Sequence, residues 1–305
     1  MTSDVPLSTN PGTIGRDSPR TSRLFGDGVF VVTQIVGVAA FAYPFVSPLG
    51  RAGEATARAT DAPYILGVTL VALFAMLGTM HLNAKRVAML GVLCALNAVL
   101  RLAETLILPL PGGFSPVFLL IILVGYAYGA RFGFLFGAFS LLTSALATGG
   151  VGPWLPFQMF GAGWVGWTAG LLGKVSMSNS SIWKMERGRA LTSVSLPHSS
   201  FDLLLLLPFG FAWGFLYGAI LNLYFWPLID AGAGQSWQAG MGIAEAVGRY
   251  AAFYAATSLW WDITSAIGTV VLIAWLGQPI LRALRRFGAR FQFDAQPLFD
   301  GEPSA

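Results

Sequence analysis

The chain has 305 residues, of which 55% are hydrophobic and only 10% charged, with 18 Lys and Arg against 14 Asp and Glu. Soluble domains carry about 25% charged residues, so most of this surface is solvated by something other than water, which excludes a soluble enzyme or a nucleic-acid-binding domain. A single cysteine, Cys94, excludes an internal disulfide, and two distant histidines, His81 and His198, give no metal-ligand spacing.

Residues 1–27 are rich in Pro, Ser, Thr and Gly and include Arg16, Arg20 and Arg23; they read as a disordered cytoplasmic arm. Apolar runs then predict spans at 28–48, 63–82, 86–107, 115–130, 132–147, 155–173, 203–226 and 249–277, in the length range a bilayer requires. The first run is longer than the roughly 7–15 residues of a signal-peptide core, and a second span follows soon after it. Runs four and five meet at Gly129-Ala-Arg131-Phe-Gly133, which reads as a tight cytoplasmic hairpin. Longer polar loops are expected at 174–202 and 228–248. The expected fold is an all-α integral membrane protein with about eight transmembrane helices.

Basic residues orient it. With the N-terminus inside, every Lys and Arg except Arg51, Arg58, Arg101 and Arg249 falls on the inner side, as the positive-inside rule demands. Both termini are therefore expected in the cytoplasm of a multi-pass cell-membrane protein.

Gly161-Ala-Gly163-Trp-Val-Gly166 matches a dinucleotide fingerprint by letter. That fingerprint works only where a strand turns into a helix; within a span it reads as close helix packing. No GxxxxGK[ST] occurs, so the chain carries no ATPase of its own. Glycines recur at four-residue spacing at 125/129, 133/137, 166/170 and 210/214/218, which lets helix backbones approach closely. Ala84, Ala88, Gly91, Ala95 and Ala98 make a stripe on the third span, suited either to internal packing or to a partner protein.

Polar groups inside spans point to function because they are costly in lipid. Arg101 and Glu104, three residues apart, either pair with each other or contact a solute. Asp262 follows Trp260 and Trp261 deep in the last span. Gln158 and Asn222 lie about a turn inside the outer boundary, in the same layer as Trp154, Tyr224, Trp226, Tyr250 and Tyr254. An aromatic belt accounts for Trp and Tyr there but not for the amides, whereas a pocket with aromatic walls and a few polar groups accounts for both.

Gly113-Phe-Ser-Pro-Val, Gly129-Ala-Arg-Phe-Gly-Phe-Leu-Phe-Gly-Ala138, Gly149-Gly-Val-Gly-Pro-Trp-Leu-Pro-Phe-Gln-Met159, Ala212-Trp-Gly-Phe-Leu-Tyr-Gly-Ala219 and Ser258-Leu-Trp-Trp-Asp262 together resemble the substrate-binding S component of energy-coupling factor (ECF) transporters, of the actinobacterial type. The resemblance covers about 84–290, with the six spans that family uses. It divides the chain into a 1–27 arm, two additional helices at 28–83, a six-helix domain at 84–280 and a basic tail at 281–305. It implies a subunit that captures a vitamin or precursor from outside and docks on a membrane coupling protein driven by two ATPase subunits, with no cofactor of its own. Under it, Arg101, Glu104, Trp154, Gln158, Asn222, Trp226, Tyr250 and Tyr254 are the expected solute contacts, and Ala84, Ala88, Gly91 and Ala95 the docking face. Similar proteins are linked with cobalamin-type uptake, and Trp and Tyr suit a large ring, although flavin or thiamine-related solutes fit the same residues. An independent secondary carrier would need inverted repeats, and a membrane-embedded enzyme would need convergent acids; neither pattern is visible in the sequence.

Overall fold

The computed structural model describes residues 19–46, 55–80, 82, 84–106, 115–187, 198–232 and 234–290. Most of the expected N-terminal arm, His81, Gly113 and Phe114 of the first quoted motif, residues 188–197 of the expected loop and residues 291–305 of the tail lie outside them. The described residues form nine α-helices and no strand: α1 (Pro19–Val46), α2 (Ala55–Thr79), α3 (Ala84–Leu106), α4 (Val117–Tyr128), α5 (Ala130–Thr148), α6 (Leu155–Arg187), α7 (His198–Phe225), α8 (Ile243–Thr257) and α9 (Leu259–Arg290), with a 3₁₀ turn at Trp226–Leu228. Six of them (α1, α2, α3, α5, α7 and α9) are long and apolar enough to cross a membrane.

Helix boundaries differ from the apolar runs for local reasons. α1 begins at Pro19 rather than at 28, because proline presets φ for a first turn whose N–H groups need no partner within the helix. α6 runs on to Arg187, since nothing between Lys174 and Arg187 is Gly or Pro to stop it, so much of the expected 174–202 loop is helical. The expected last span is two helices, broken at Ser258, whose φ of −126° and ψ of −22° leave the helical region. α8 bonds to α7 at its middle and its end: the Tyr250 hydroxyl donates to Ala219 O, and the Asn222 amide donates to Thr257 Oγ1 at 3.3 Å and to Ser258 Oγ, just past the helix, at 2.6 Å.

The centre is built on glycine. α4 has 12 residues, or roughly 18 Å of helix, too short for a hydrocarbon core of about 30 Å. All of α4 is buried except Phe118 and Ala127, which are half-buried, so it need not meet lipid along its length. Gly129, at φ 92°, joins it directly to α5, a backbone region that favours glycine. A β-carbon on Gly125 would lie 2.2 Å from Gly166 O, one on Gly133 2.3 Å from the same oxygen, one on Gly137 2.1 Å from Ala162 O and one on Gly170 2.2 Å from Ala130 N. The three-helix seam α4–α5–α6 is therefore in backbone contact; of the fingerprint-like glycines, Gly163 and Gly166 face α5 in it, whereas Gly161 faces Tyr217 of α7. A second groove joins α7 to α9 in antiparallel register: Gly214 lies against Ala266 and Gly218 against the Asp262 carboxylate.

α1 is clamped to this bundle along one face. Asp27 pairs with Arg131 at the start of α5. Gln34 Oε1 accepts a 2.8 Å hydrogen bond from Trp164 Nε1, Gly37 sits against the Phe160 ring, and Phe41 packs on Phe157 and Trp164 with centroids 5.2 and 5.3 Å away. α2 leans on α1, with Tyr43 bonded to Asp61, and reaches α5 through Phe74 and Phe139 at 5.6 Å. The end of the bundle with Arg131 also holds an ion pair with a buried carboxylate, in which Arg285 grips Asp202 with bonds of 2.8 and 3.1 Å. There Tyr126 donates to Asp202 at 2.6 Å and Tyr128 to Leu284 O at 2.8 Å.

Candidate functional site

The expected site residues gather at the opposite end in two walls. One is polar and belongs to α3 and the start of α4. Arg101 Nη1 lies 3.9 Å from Glu104 Oε1, one turn along the helix, where i,i+3 residues share a face. The Ser115 hydroxyl donates to Glu104 Oε2 at 2.8 Å, tying the two ends of the α3–α4 connection together.

The other wall is aromatic. Tyr224 stacks flat on Phe157, centroids 3.9 Å apart with planes 4° from parallel, and Phe41 of α1 closes on both. Trp226 is buried and fixed by a 2.6 Å bond from its indole N–H to Gln235 O. Tyr250 stands 5.2 Å from it and Tyr254 a turn further on. Phe45 and Trp237 complete this group: Phe45 lies 6.2 Å from Trp226 and 5.7 Å from Trp237, and both are half-buried. Tyr217 packs its ring 4.6 Å from Phe118 of α4 and against Gly161 of α6.

Asn222, Tyr254 and Asp262 are partnered with one another's helices: Tyr254 donates to Asp262 Oδ2 at 2.7 Å, and Asn222 holds the α8–α9 junction. They fix the aromatic wall in place. Gln158 is half-buried one turn into α6. Trp154 is exposed, with its N–H donated to Gly150 O at 3.2 Å. Ala84, Ala88, Gly91 and Ala95 face outward from the bundle, whereas Ala98, next in the stripe, turns inward and is buried.

The 229–242 loop that carries Gln235 and Trp237 is organised by Asp230. Its carboxylate accepts from Gly232 N at 3.1 Å and from Ser236 Oγ at 2.9 Å. Those bonds, the backbone one foremost, hold its carboxyl below the usual carboxylate range. A depressed carboxylate stabilises the folded loop above the unfolded pKa of about 3.9, and that contribution is lost as pH falls through the lower folded value. Amide protection factors across this loop are thus expected to be highest at neutral pH and to fall below about pH 4, and Asp230→Asn should show the lower protection already at pH 7. Hydrogen exchange read by mass spectrometry checks both.

Three features escaped the sequence reading. Phe45 and Trp237 are separated by most of the chain, and only the fold joins them. Asp202, at the opposite end, looks like the polar edge of an apolar run. Asn97 is the third: it is 1% exposed, and neither its amide nitrogen nor its oxygen has a hydrogen-bond partner. An amide inside a span is a visible signal, and it sits one helical turn before Arg101.

A family model described as "ECF transporter, substrate-specific component" matches residues 85–277. No curated protein and no solved structure matches the chain.

Proposed function

Since the chain belongs to the family of ECF transporter substrate-specific components, we propose that it captures a vitamin-like solute between the polar and aromatic walls and presents it to a separate energising module. That module would be a membrane coupling protein with two ATPase subunits. In this reading the aromatic end faces outward. The end bearing Arg131, Lys174, Arg282, Arg285 and Arg286 faces the cytoplasm together with both termini, as the positive-inside rule favours.

The observation that carries the reading is the bare face of α3. Ala84, Ala88, Gly91 and Ala95 are all exposed, and a β-carbon on Gly91 would meet nothing within 4 Å. The two additional helices pack against α5, α6 and α7 and leave this face open. A smooth helix face in lipid lets a partner helix approach closely, where packing supplies the attraction. The aromatic wall supports a solute with a large conjugated ring, of which a corrinoid is the leading example.

The test is a thermal-shift screen of the purified chain with cyanocobalamin, riboflavin and thiamine, combined with co-purification of the coupling protein and ATPases. A true solute at 100 times its Kd stabilises by about 2.7 kcal/mol. Gly91→Trp should keep that shift and lose co-purification. A wild-type chain that transports solute alone, without the other subunits, would instead be a secondary carrier.

A further inference from the structure

We propose that Asn97 is the floor of the solute site and receives a group presenting a hydrogen-bond donor and acceptor side by side, such as an amide, imide or aminopyrimidine edge. This deepens the capture reading and rests on it. Leu90, Cys94, Asn97, Arg101 and Glu104 follow one another at i, i+4, i+7, i+11 and i+14, one continuous face of α3. Toward the basic end this face is apolar and packed, with Leu90 and Cys94 buried. Toward the aromatic end it becomes charged, with Arg101 and Glu104 half-buried beside Ser115. Asn97 lies at the change from one to the other.

Cys94, one turn deeper, meets Ser140 of α5 at 3.9 Å, so register places Asn97 in the α3–α5 layer at the level of Ser144, itself buried. Nothing there completes its hydrogen bonds. Buried polar side chains are nearly always paired, and an unmade bond in a low-dielectric interior is costly. A leucine, branched at the same carbon, would leave no hydrogen bond unmade there. The amide's N–H₂ and C=O lie in one plane, which fits a ligand edge offering the reciprocal pair. The aromatic wall would then hold the ring from which that edge projects.

The experiment compares wild type with Asn97→Leu and Asn97→Ala in the purified full-length chain, measuring the melting temperature without ligand and then the Kd for whichever of cyanocobalamin, riboflavin and thiamine shifts wild type. Asn97→Leu is expected to raise the ligand-free Tm by roughly 2–4 °C and to weaken binding at least tenfold; Asn97→Ala should weaken binding similarly, with little gain in Tm. A fall in the ligand-free Tm of Asn97→Leu would mean the amide is satisfied within the protein and would overturn the proposal. Unchanged affinity in both variants would also overturn it, leaving only an ordered water at Asn97. If no compound shifts wild type, the capture reading itself fails, and the assignment of Asn97 to a solute fails with it.

Discussion

Gly166→Ala is expected to destabilise the fold strongly. Its new β-carbon would sit 2.0 Å from Gly133 O and 2.5 Å from Gly133 C, and both are backbone atoms that no rotamer change can move aside. α5 and α6 must separate, and Gly125 and Gly133, each opposite Gly166 O, lose their contact in the same step. Overpacking ordinarily costs about 1–3 kcal/mol and occasionally more. A clash of backbone against backbone at the meeting point of three helices belongs at or above the upper value, which corresponds to a fall of roughly 10 °C in Tm. The control is Gly91→Ala, where the added carbon meets nothing within 4 Å and should leave Tm unchanged. Scanning fluorimetry with size-exclusion profiles in detergent reads both, and equal Tm values for the two variants would remove the seam from its structural role.

The second large effect is at the opposite end, and it is asymmetric. Asp202 is almost wholly buried, at 5% side-chain exposure, while its partner Arg285 is 45% exposed. Removing the arginine strands a buried carboxylate whose remaining partner is the Tyr126 hydroxyl. Removing the carboxylate strands a guanidinium that can turn to water. Breaking a buried pair from one side costs about 3–5 kcal/mol; with Arg285 nearly half exposed, Arg285→Leu should cost less, about 2 kcal/mol. Asp202→Asn should cost about 1 kcal/mol, near the net worth of a typical hydrogen bond. The double variant should be more stable than Arg285→Leu alone. Tm values of the four proteins form the cycle, and equal losses from the two single changes would contradict this account.

Much of this was legible in the sequence, but unevenly. Composition and apolar runs located the helices, because lipid admits little but helix for a backbone that must satisfy itself. Glycine spacing announced close packing without saying which glycines meet, since an i,i+4 repeat marks a face and not its partner. The pairing of Gly214 with Ala266 and of Gly218 with Asp262 is a property of the α7–α9 register alone. The break at Ser258 was invisible because Tyr254 to Trp261 continues the apolar, aromatic run without Gly or Pro to mark a turn. At the site, Arg101 and Glu104 were legible as a pair. Asn222, an expected solute contact, also donates its amide to Thr257 and Ser258, a role that depends on a break no pattern reveals. Asp202 was passed over because its partner lies 83 residues away.

The clamping of α1 also sets a schedule. α1 is synthesised first, but Trp164, which completes its Gln34 contact, follows 130 residues later. At roughly 5–20 residues per second, that is a wait on the order of ten seconds with a polar amide already in or near the bilayer. α2 is available much sooner, and the Thr33 hydroxyl bonds Val29 O within α1 at 2.8 Å and reaches Ala72 O at 3.5 Å. The α1–α2 pair can therefore assemble early as a nascent hairpin, holding α1 upright until α6 is threaded in beside it. α2, whose apolar span has the smallest buried share of the six, can thus give α1 an early partner, and it sets Leu73 and Met76 in the finished core.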